Sequence, residues 1–162
     1  MSGAFDPRLI LRDEELDAGL ELLLLCESAL WAAADAALEP EVKGLGRSHY
    51  RTLFLLKRRP GLGVRELARL TALSKQGASR TLAELTGLGL VEKGSGEADA
   101  RRKPARLTRE GAAVEARVSE RLRSLLARAY RAGGLDAVAG ARRILSALAG
   151  GRLAIGKPEP EL

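Results

Sequence analysis

Six side chains between positions 74 and 81 are of the types that contact DNA when they share the exposed face of a helix. Glutamine can form two hydrogen bonds with the edge of adenine, and arginine can form two with guanine. Lysine and hydroxyl side chains commonly hold phosphates. The candidate base readers are Gln76, Ser79 and Arg80, the candidate phosphate contacts are Lys75 and Thr81, and Ser74 precedes them. The alternative for any one of these residues is a solvated helix surface without a ligand.

Two helices joined by a tight turn are predicted to position these side chains. The first helix has one apolar face, formed by Val64, Leu67, Ala68 and Thr71. Ser74 is a good N-cap for the second helix. The apolar stripe of the second helix consists of Ala78, Leu82 and Leu85, and its opposite side carries Lys75, Gln76, Ser79 and Arg80. This arrangement is typical of a helix-turn-helix whose second helix enters the major groove.

A basic β-hairpin is predicted directly after the second helix. Gly89 suits the residue that ends a helix, and residues 90–93 can form a short strand. Residues 94–97 have the composition of a turn, and residues 104–107 can form the returning strand. Three adjacent cations precede that strand: Arg101, Arg102 and Lys103. Arginine on such a hairpin can enter the minor groove, which makes the hairpin a candidate wing.

The distribution of charge supports a surface that binds a polyanion. The chain has 162 residues and a formal net charge of +6. From Val42 to Arg109 there are 16 Lys and Arg against 5 Asp and Glu, whereas the remainder has 11 against 16. A basic middle between acidic arms favours a DNA-binding module on a separate platform. A chain of this length is expected to form one domain. Because aromatic residues are only 3% of the chain, we expect its core to be aliphatic and mainly helical.

The flanking helices carry more apolar surface than a small winged domain can cover. A long helix opening at Asp13 has leucines on more than one side, and a stripe follows Thr108 until Gly133-Gly134 ends that helix. A last helix is expected to end at Gly150-Gly151, before a mobile tail. We therefore expect these helices to interdigitate with a second copy in an obligate homodimer.

Other function classes find little support in the sequence. One His and one Cys lie 23 positions apart, which is a poor basis for a catalytic dyad. No metal-ligand spacing or dinucleotide fingerprint occurs, so no cofactor is expected. No apolar run is long enough to span a membrane, and residues 1–13 do not have the pattern of a signal peptide. A single cysteine fits the reducing cytoplasm.

The hairpin and the helix after it resemble the MarR family of bacterial transcriptional regulators. That family's wing usually carries Asp-x-Arg before Leu-Thr-x-x-Gly, and this chain has Asp99 and Arg101 before residues 107–111. Many members have a further arginine where this chain has Ala100. Residues 45–51 also resemble the PetP branch of the family. The resemblance covers roughly residues 16–148.

The resemblance implies a mainly α fold with a small β-wing, in which a winged helix sits on a helical dimerisation platform. The expected parts are an N-terminal dimerisation helix (13–40), the winged helix-turn-helix (47–108), C-terminal dimerisation helices (109–150) and a mobile tail (151–162). The family's effectors are often aromatic acids that bind between platform and winged domain. Candidate effector contacts are Trp31, Arg47, His49, Tyr50 and Arg51. The alternative is that the aromatic residues are core packing and the arginines are surface.

These observations favour a cytoplasmic, homodimeric regulator that binds double-stranded DNA. A repressor on a pseudo-palindromic operator, released by a small aromatic or acidic effector, is the main expectation. An effector-independent regulator or an activator stays open. A winged-helix module that docks a protein without reading DNA is the alternative from another class, and steep salt dependence of DNA binding would argue against it.

Overall fold

The computed structural model describes residues 10–93 and 104–154. Its elements in chain order are α1 (Asp13–Leu38), α2 (Arg47–Arg58), α3 (Val64–Thr71), α4 (Lys75–Gly87), β1 (Val91–Lys93), β2 (Ala105–Leu107), α5 (Arg109–Ala149) and a 3-10 helix (Gly150–Ala154). The prediction of a mainly helical fold with a small antiparallel hairpin is confirmed. The 3-10 helix occupies four residues that the sequence analysis assigned to a mobile tail, 151–154.

Helix α1 begins at three acidic residues, whose charges favour the positive end of a helix dipole. Glu15 also accepts a hydrogen bond from the backbone N–H of Arg12 (3.0 Å). Near its C-terminal end, Ala34 and Leu38 are buried. The helix packs mainly against α5. Together α1 and α5 form the platform beneath the winged domain.

One aliphatic core holds the winged domain together. It contains buried side chains from α2, α3, α4, β1 and α5, including Leu53, Leu67, Leu85, Val91 and Val114. A second cluster, around Leu38, Tyr50 and Val118, joins α2 to both platform helices. Burial of these apolar surfaces away from water is what fixes α4 relative to the platform.

The turn between α3 and α4 depends on two local features. Ala72 adopts the left-handed conformation, with φ at 57°, and so reverses the chain after α3. The Ser74 hydroxyl then accepts a hydrogen bond from the backbone N–H of Gly77 (3.0 Å), as predicted for an N-cap. The start of α4 is therefore fixed by its own sequence.

The hairpin pairs β1 and β2 in antiparallel register, with Val91 opposite Leu107 and Lys93 opposite Ala105. These are the strands that the sequence predicted, shortened by one residue each. The residues between them, 94–103, lie outside the described part of the chain.

A three-way contact anchors the start of α5 beneath the hairpin. The Thr108 hydroxyl donates to the carbonyl of Gly89 (2.7 Å) and accepts from the backbone N–H of Gly111 (3.0 Å). The backbone N–H of Thr108 donates to the carbonyl of Leu90 (3.1 Å). Gly111 lies so close to Leu90, the residue before β1, that an added Cβ atom would be 1.9 Å from the Leu90 oxygen. These contacts explain the Leu-Thr-x-x-Gly pattern in physical terms.

Helix α5 is interrupted at Gly134, whose backbone angles (φ 78°, ψ 174°) are not helical. The sequence predicted that helix to end at Gly133-Gly134, and the interruption confirms this. Only a residue without a Cβ adopts such a conformation at low cost. The platform therefore consists of α1 and two consecutive segments of α5.

A buried polar network also joins α2 to α5. Glu115 is fully buried and contacts the ammonium of Lys57, and it accepts from the Ser119 hydroxyl. Since the proton of Ser119 is used there, Tyr50 must donate to Ser119 (2.9 Å). Burial raises the pKa of the Tyr50 hydroxyl above its ordinary value. Sequence reasoning missed the role of Glu115.

Much of the platform's apolar surface is uncovered in the single chain. The exposed leucines of α1 are Leu16, Leu20, Leu22, Leu23, Leu24, Leu25 and Leu30. In α5 the exposed large apolar residues are Leu126, Leu135, Ile144, Leu145 and Leu148. No helix within the described residues is both long and apolar enough to cross a membrane.

Candidate nucleic-acid interface and effector cavity

The exposed face of α4 carries four of the predicted DNA-contacting residues. Lys75, Gln76, Ser79 and Arg80 are all exposed, and the Arg80 side chain retains 79% of its accessible surface. The opposite side of α4 is buried through Ala78 and Leu85. The core therefore holds α4 so that its long polar side chains extend into solvent from the first two turns.

Ser74 and Thr81 differ in what they can still bind. Ser74 is exposed and uses its hydroxyl oxygen as an acceptor for Gly77, which leaves its proton to donate to a phosphate. Thr81 is buried, and its hydroxyl donates to the carbonyl of Gly77 (3.0 Å). The predicted phosphate contact by Thr81 is therefore wrong for this conformation. Its spacing from Ala78 and Leu85 places it on the core-facing stripe of α4.

The predicted wing cations Arg101, Arg102 and Lys103 lie outside the described residues. The strands on both sides of them are described and paired. Arg106 is exposed on β2 and was not singled out from the sequence. Its position in an alternating strand, between the less exposed Ala105 and Leu107, is the signal that would have shown it.

Three of the five predicted effector contacts lie together at the junction of α1 and α2. The guanidinium of Arg47 lies 5.7 Å from the centroid of the Trp31 ring, and that of Arg51 lies 5.3 Å from it. Both distances are within the range of cation–π attraction. A cavity of about 270 Å³ opens here and is lined by Glu27, Trp31, Arg47, Ser48, Arg51, Thr71 and Leu73.

The two arginines of this cavity are not equivalent. Arg47 forms a bidentate pair with Asp35, with Nε 3.1 Å from both carboxylate oxygens and Nη2 2.6 Å from Oδ2. This hydrogen bonding holds the pKa of Asp35 below its ordinary value, against a smaller opposing effect of desolvation. Arg51 has no carboxylate partner among the described residues. Arg51 is therefore the cation in this cavity whose guanidinium can pair with an incoming anion.

His49 and Tyr50 do not line the cavity, which corrects the predicted set. Tyr50 is buried and bonds to Ser119 on α5. Nδ1 of His49 accepts a hydrogen bond from the backbone N–H of Gly46 (3.0 Å), and Nε2 of His49 lies 2.9 Å from Oε2 of Glu84. Both side chains point away from the cavity, because successive positions in a helix point about 100° apart.

Sequence reasoning missed four residues of the cavity: Glu27, Ser48, Thr71 and Leu73. Glu27 lies one helical turn before Trp31, and Ser48 follows Arg47, so helical spacing could have indicated both. Thr71 is the last residue of α3, and Leu73 belongs to the turn that leads into α4. Their proximity to Trp31 follows from how α3 packs, which no local signal shows.

Comparison with known proteins agrees with this architecture. A sequence model of the MarR family matches residues 43–102. The HTH-type transcriptional regulator PetP of Rhodobacter capsulatus is 37% identical to this chain over 140 residues, which are 86% of this chain and 83% of that protein. The predicted resemblance to PetP is thus confirmed.

Solved structures show the same likeness. The crystal structure of the Mycobacterium tuberculosis MarR family protein Rv2887 in complex with DNA has 30% identity and a TM-score of 0.58, covering 79% of this chain and 94% of that one. The complex of Rv2887 with p-aminosalicylic acid has 29% identity and a TM-score of 0.59, covering 80% and 97%.

The fold described above is thus shared with proteins of one regulator family. The identity to PetP extends over the platform as well as the winged domain, since it spans most of both chains. The chain belongs to the MarR family of DNA-binding transcriptional regulators.

Proposed function

We propose that this regulator is a cytoplasmic homodimeric repressor that occupies a pseudo-palindromic operator and is released by a small aromatic acid. The observation that carries the proposal is the exposed face of α4. The side chains of Lys75, Gln76, Ser79 and Arg80 extend into solvent there, from a helix that the core holds in place. Occupancy of a promoter by such a dimer would exclude polymerase.

The assignment of roles on α4 follows from hydrogen-bonding capacity. Gln76 pairs with adenine and Arg80 with guanine, each through two hydrogen bonds in the major groove. Ser79 donates to a base edge, while Ser74 and Lys75 hold phosphates. Arg101, Arg102 and Lys103 of the hairpin contact the minor groove and its phosphates.

A second copy of the chain is the proposed cover for the apolar platform. Contiguous exposed apolar patches of this extent mark interaction surfaces in soluble proteins. The exposed leucines belong to both α1 and α5, so one self-complementary interface can bury both sets. A dimer would place its two α4 helices in consecutive major grooves, about 10 base pairs apart.

The cavity at Trp31 is the proposed effector site. An aromatic ring would stack near Trp31, and its carboxylate would pair with Arg51, since Arg47 is already paired with Asp35. The related protein Rv2887 has been crystallised with p-aminosalicylic acid, which has this chemistry.

The position of this cavity suggests how an effector releases DNA. Its walls come from α1 and α2 on one side and, on the other, from Thr71 at the end of α3 and Leu73 of the turn before α4. A ligand that binds more tightly when these walls are farther apart shifts the turn and the helix after it. The ligand can lower the DNA affinity by no more than the ratio of its own affinities for the two arrangements.

Replacing Arg80 with alanine tests the role assigned to α4. The loss of one bidentate base contact should weaken cognate binding by about 1–3 kcal/mol and relax the preference at one base pair of each half-site. Fluorescence anisotropy on cognate, point-substituted and scrambled duplexes, repeated at several salt concentrations, measures this. Equal weakening on all duplexes would contradict base reading by Arg80. Binding without salt dependence would instead favour the protein-docking alternative.

Replacing Arg51 with glutamine tests the effector site. Loss of a charge-assisted hydrogen bond should weaken binding of salicylate or p-aminosalicylate by about tenfold. Trp31 fluorescence and release of a labelled operator provide two independent readouts. Arg58→Gln is the matched control. Like Arg51, Arg58 lies over an aromatic ring, that of Phe54 (5.8 Å), but it does not line the cavity. If both variants lose the same affinity, or neither does, the assignment of Arg51 is wrong.

A further inference from the structure

Glu84 connects the candidate base reader Arg80 to the start of α2. It lies on α4 one helical turn after Arg80, with its side chain 48% exposed. One carboxylate oxygen, Oε1, faces Nε of Arg80 at 4.0 Å, and the other, Oε2, lies 2.9 Å from Nε2 of His49. One acidic group thus contacts both a side chain proposed to enter the major groove and a side chain of the neighbouring helix.

His49 is held so that it can act as a fixed support for Glu84. Its Nδ1 accepts from the backbone N–H of Gly46, the residue before α2. This bond makes Nδ1 the acceptor, so Nε2 carries the proton and donates to Glu84. The ring also takes the place of the glutamate or glutamine in a capping box, three residues after the cap. With only 12% of its side chain exposed, His49 has little freedom to move.

We infer that Glu84, anchored by His49, is a positioning residue that holds Arg80 over one base pair and so sets base discrimination. The inference rests on the proposed readout by Arg80. An exposed arginine samples many rotamers and reaches phosphates on either side of the groove. An acidic partner one turn along restricts the guanidinium to one side of α4.

The charge of Glu84 makes its contribution selective. A carboxylate beside the groove is repelled by phosphates, so it adds no affinity for DNA as such. The carboxylate disfavours arrangements in which the Arg80 guanidinium moves away from Glu84 to a phosphate and makes no base contact. Removal of the charge should therefore tighten binding to unrelated DNA while weakening the preference for the operator.

The proposed experiment compares Glu84→Gln with His49→Gln in the full-length protein. Gln at position 49 retains an acceptor for Gly46, as in a capping box, but lacks the ring nitrogen that reaches Glu84. Affinities are measured by anisotropy on the selected operator, on its single-base-pair variants and on a scrambled duplex at constant salt. Both variants should lower the ratio of operator to scrambled affinity by about twofold, the size expected for one exposed ion pair between residues four apart in a helix.

Two controls separate positioning from a general effect on charge or folding. Glu120→Gln removes an exposed acid that pairs with Arg123 on α5 (2.9 Å) and should leave the base profile unchanged. In the Arg80→Ala background, Glu84→Gln should no longer alter the base profile, because the side chain it positions is absent.

The outcomes distinguish this inference from the proposal beneath it. If Glu84→Gln changes operator and scrambled binding by one common factor, or still changes the base profile without Arg80, Glu84 is not a positioning residue. If Arg80→Ala removes a base preference that Glu84→Gln leaves intact, only the positioning role is wrong. If Arg80→Ala itself leaves the base profile unchanged, readout by Arg80 fails and the positioning role fails with it.

Discussion

Replacing Leu20 and Leu24 together with glutamate is expected to leave a folded monomer that binds its operator far more weakly than the wild type. Both side chains are more than half exposed in the single chain, and neither belongs to the core of the winged domain. The substitutions therefore remove no side chain of either buried cluster. They place two charges in the surface that we propose a second copy covers, where burial of an unpaired charge is costly.

The effect on DNA binding should be much larger than that of any single contact. In a dimer, one bound α4 raises the effective concentration of the other at its half-site, and this increases affinity by about 10²–10⁴-fold. A monomer should lose that factor on a two-half-site operator but retain weak binding to one half-site. Static light scattering gives the mass, for which one chain is 17.3 kDa, and anisotropy gives the affinity.

Leu88→Glu is the matched control for the change in mass. Leu88 is also an exposed leucine, but it follows α4 and lies outside the platform helices. This variant should remain dimeric. A wild-type monomer at micromolar concentration, or a double variant that stays dimeric with circular dichroism unchanged, would contradict the proposed interface.

Gly111→Ala is expected to destabilise the fold by about 3 kcal/mol or more, at or above the upper end of ordinary overpacking. The new Cβ would lie 1.9 Å from the Leu90 oxygen and 2.8 Å from its carbonyl carbon, and both are backbone atoms. No rotamer change relieves such a contact, so the start of α5 must move away from the hairpin. The Thr108 bonds to Gly89 and Leu90 would weaken with it.

Differential scanning calorimetry should show a Tm lower by about 6–12 °C for a loss of this size. Gly87→Ala is the matched control, because Gly87 is also helical and a Cβ there would meet nothing within 4 Å. That variant should be neutral or gain up to about 1 kcal/mol from higher helix propensity. If both substitutions change the Tm equally, the close approach at Gly111 is not what requires glycine.

The backbone of this chain was predictable because its signals are local. Ser74 was expected to cap α4, and its side chain accepts the expected bond; the Thr108 hydroxyl caps α5 in the same way. Apolar spacing predicted the buried faces of α3 and α4. Two glycines in succession predicted the interruption that the structure shows at Gly134. Each of these features involves residues within a few positions of one another, so the sequence contains all the partners.

The candidate sites were only partly predictable. The exposed face of α4 was expected correctly at four positions, but Thr81 was assigned outward although its spacing from Ala78 places it on the buried stripe. At the cavity, Trp31, Arg47 and Arg51 meet as expected, whereas His49 turns to Glu84 and Tyr50 to Ser119. Those partners are 35 and 69 positions away.

The sequence by itself determined the helices, their caps and the paired hairpin strands, because short-range hydrogen bonding and apolar periodicity specify these features. It also determined the concentration of positive charge around them, which follows directly from residue types. Only the tertiary structure decided which side chain of α2 faces the cavity, which arginine is already paired, and which acid lies beside Arg80. Those choices depend on how helices pack against each other. A rotation of a helix by one residue moves a side chain by about 100° and replaces all of its partners.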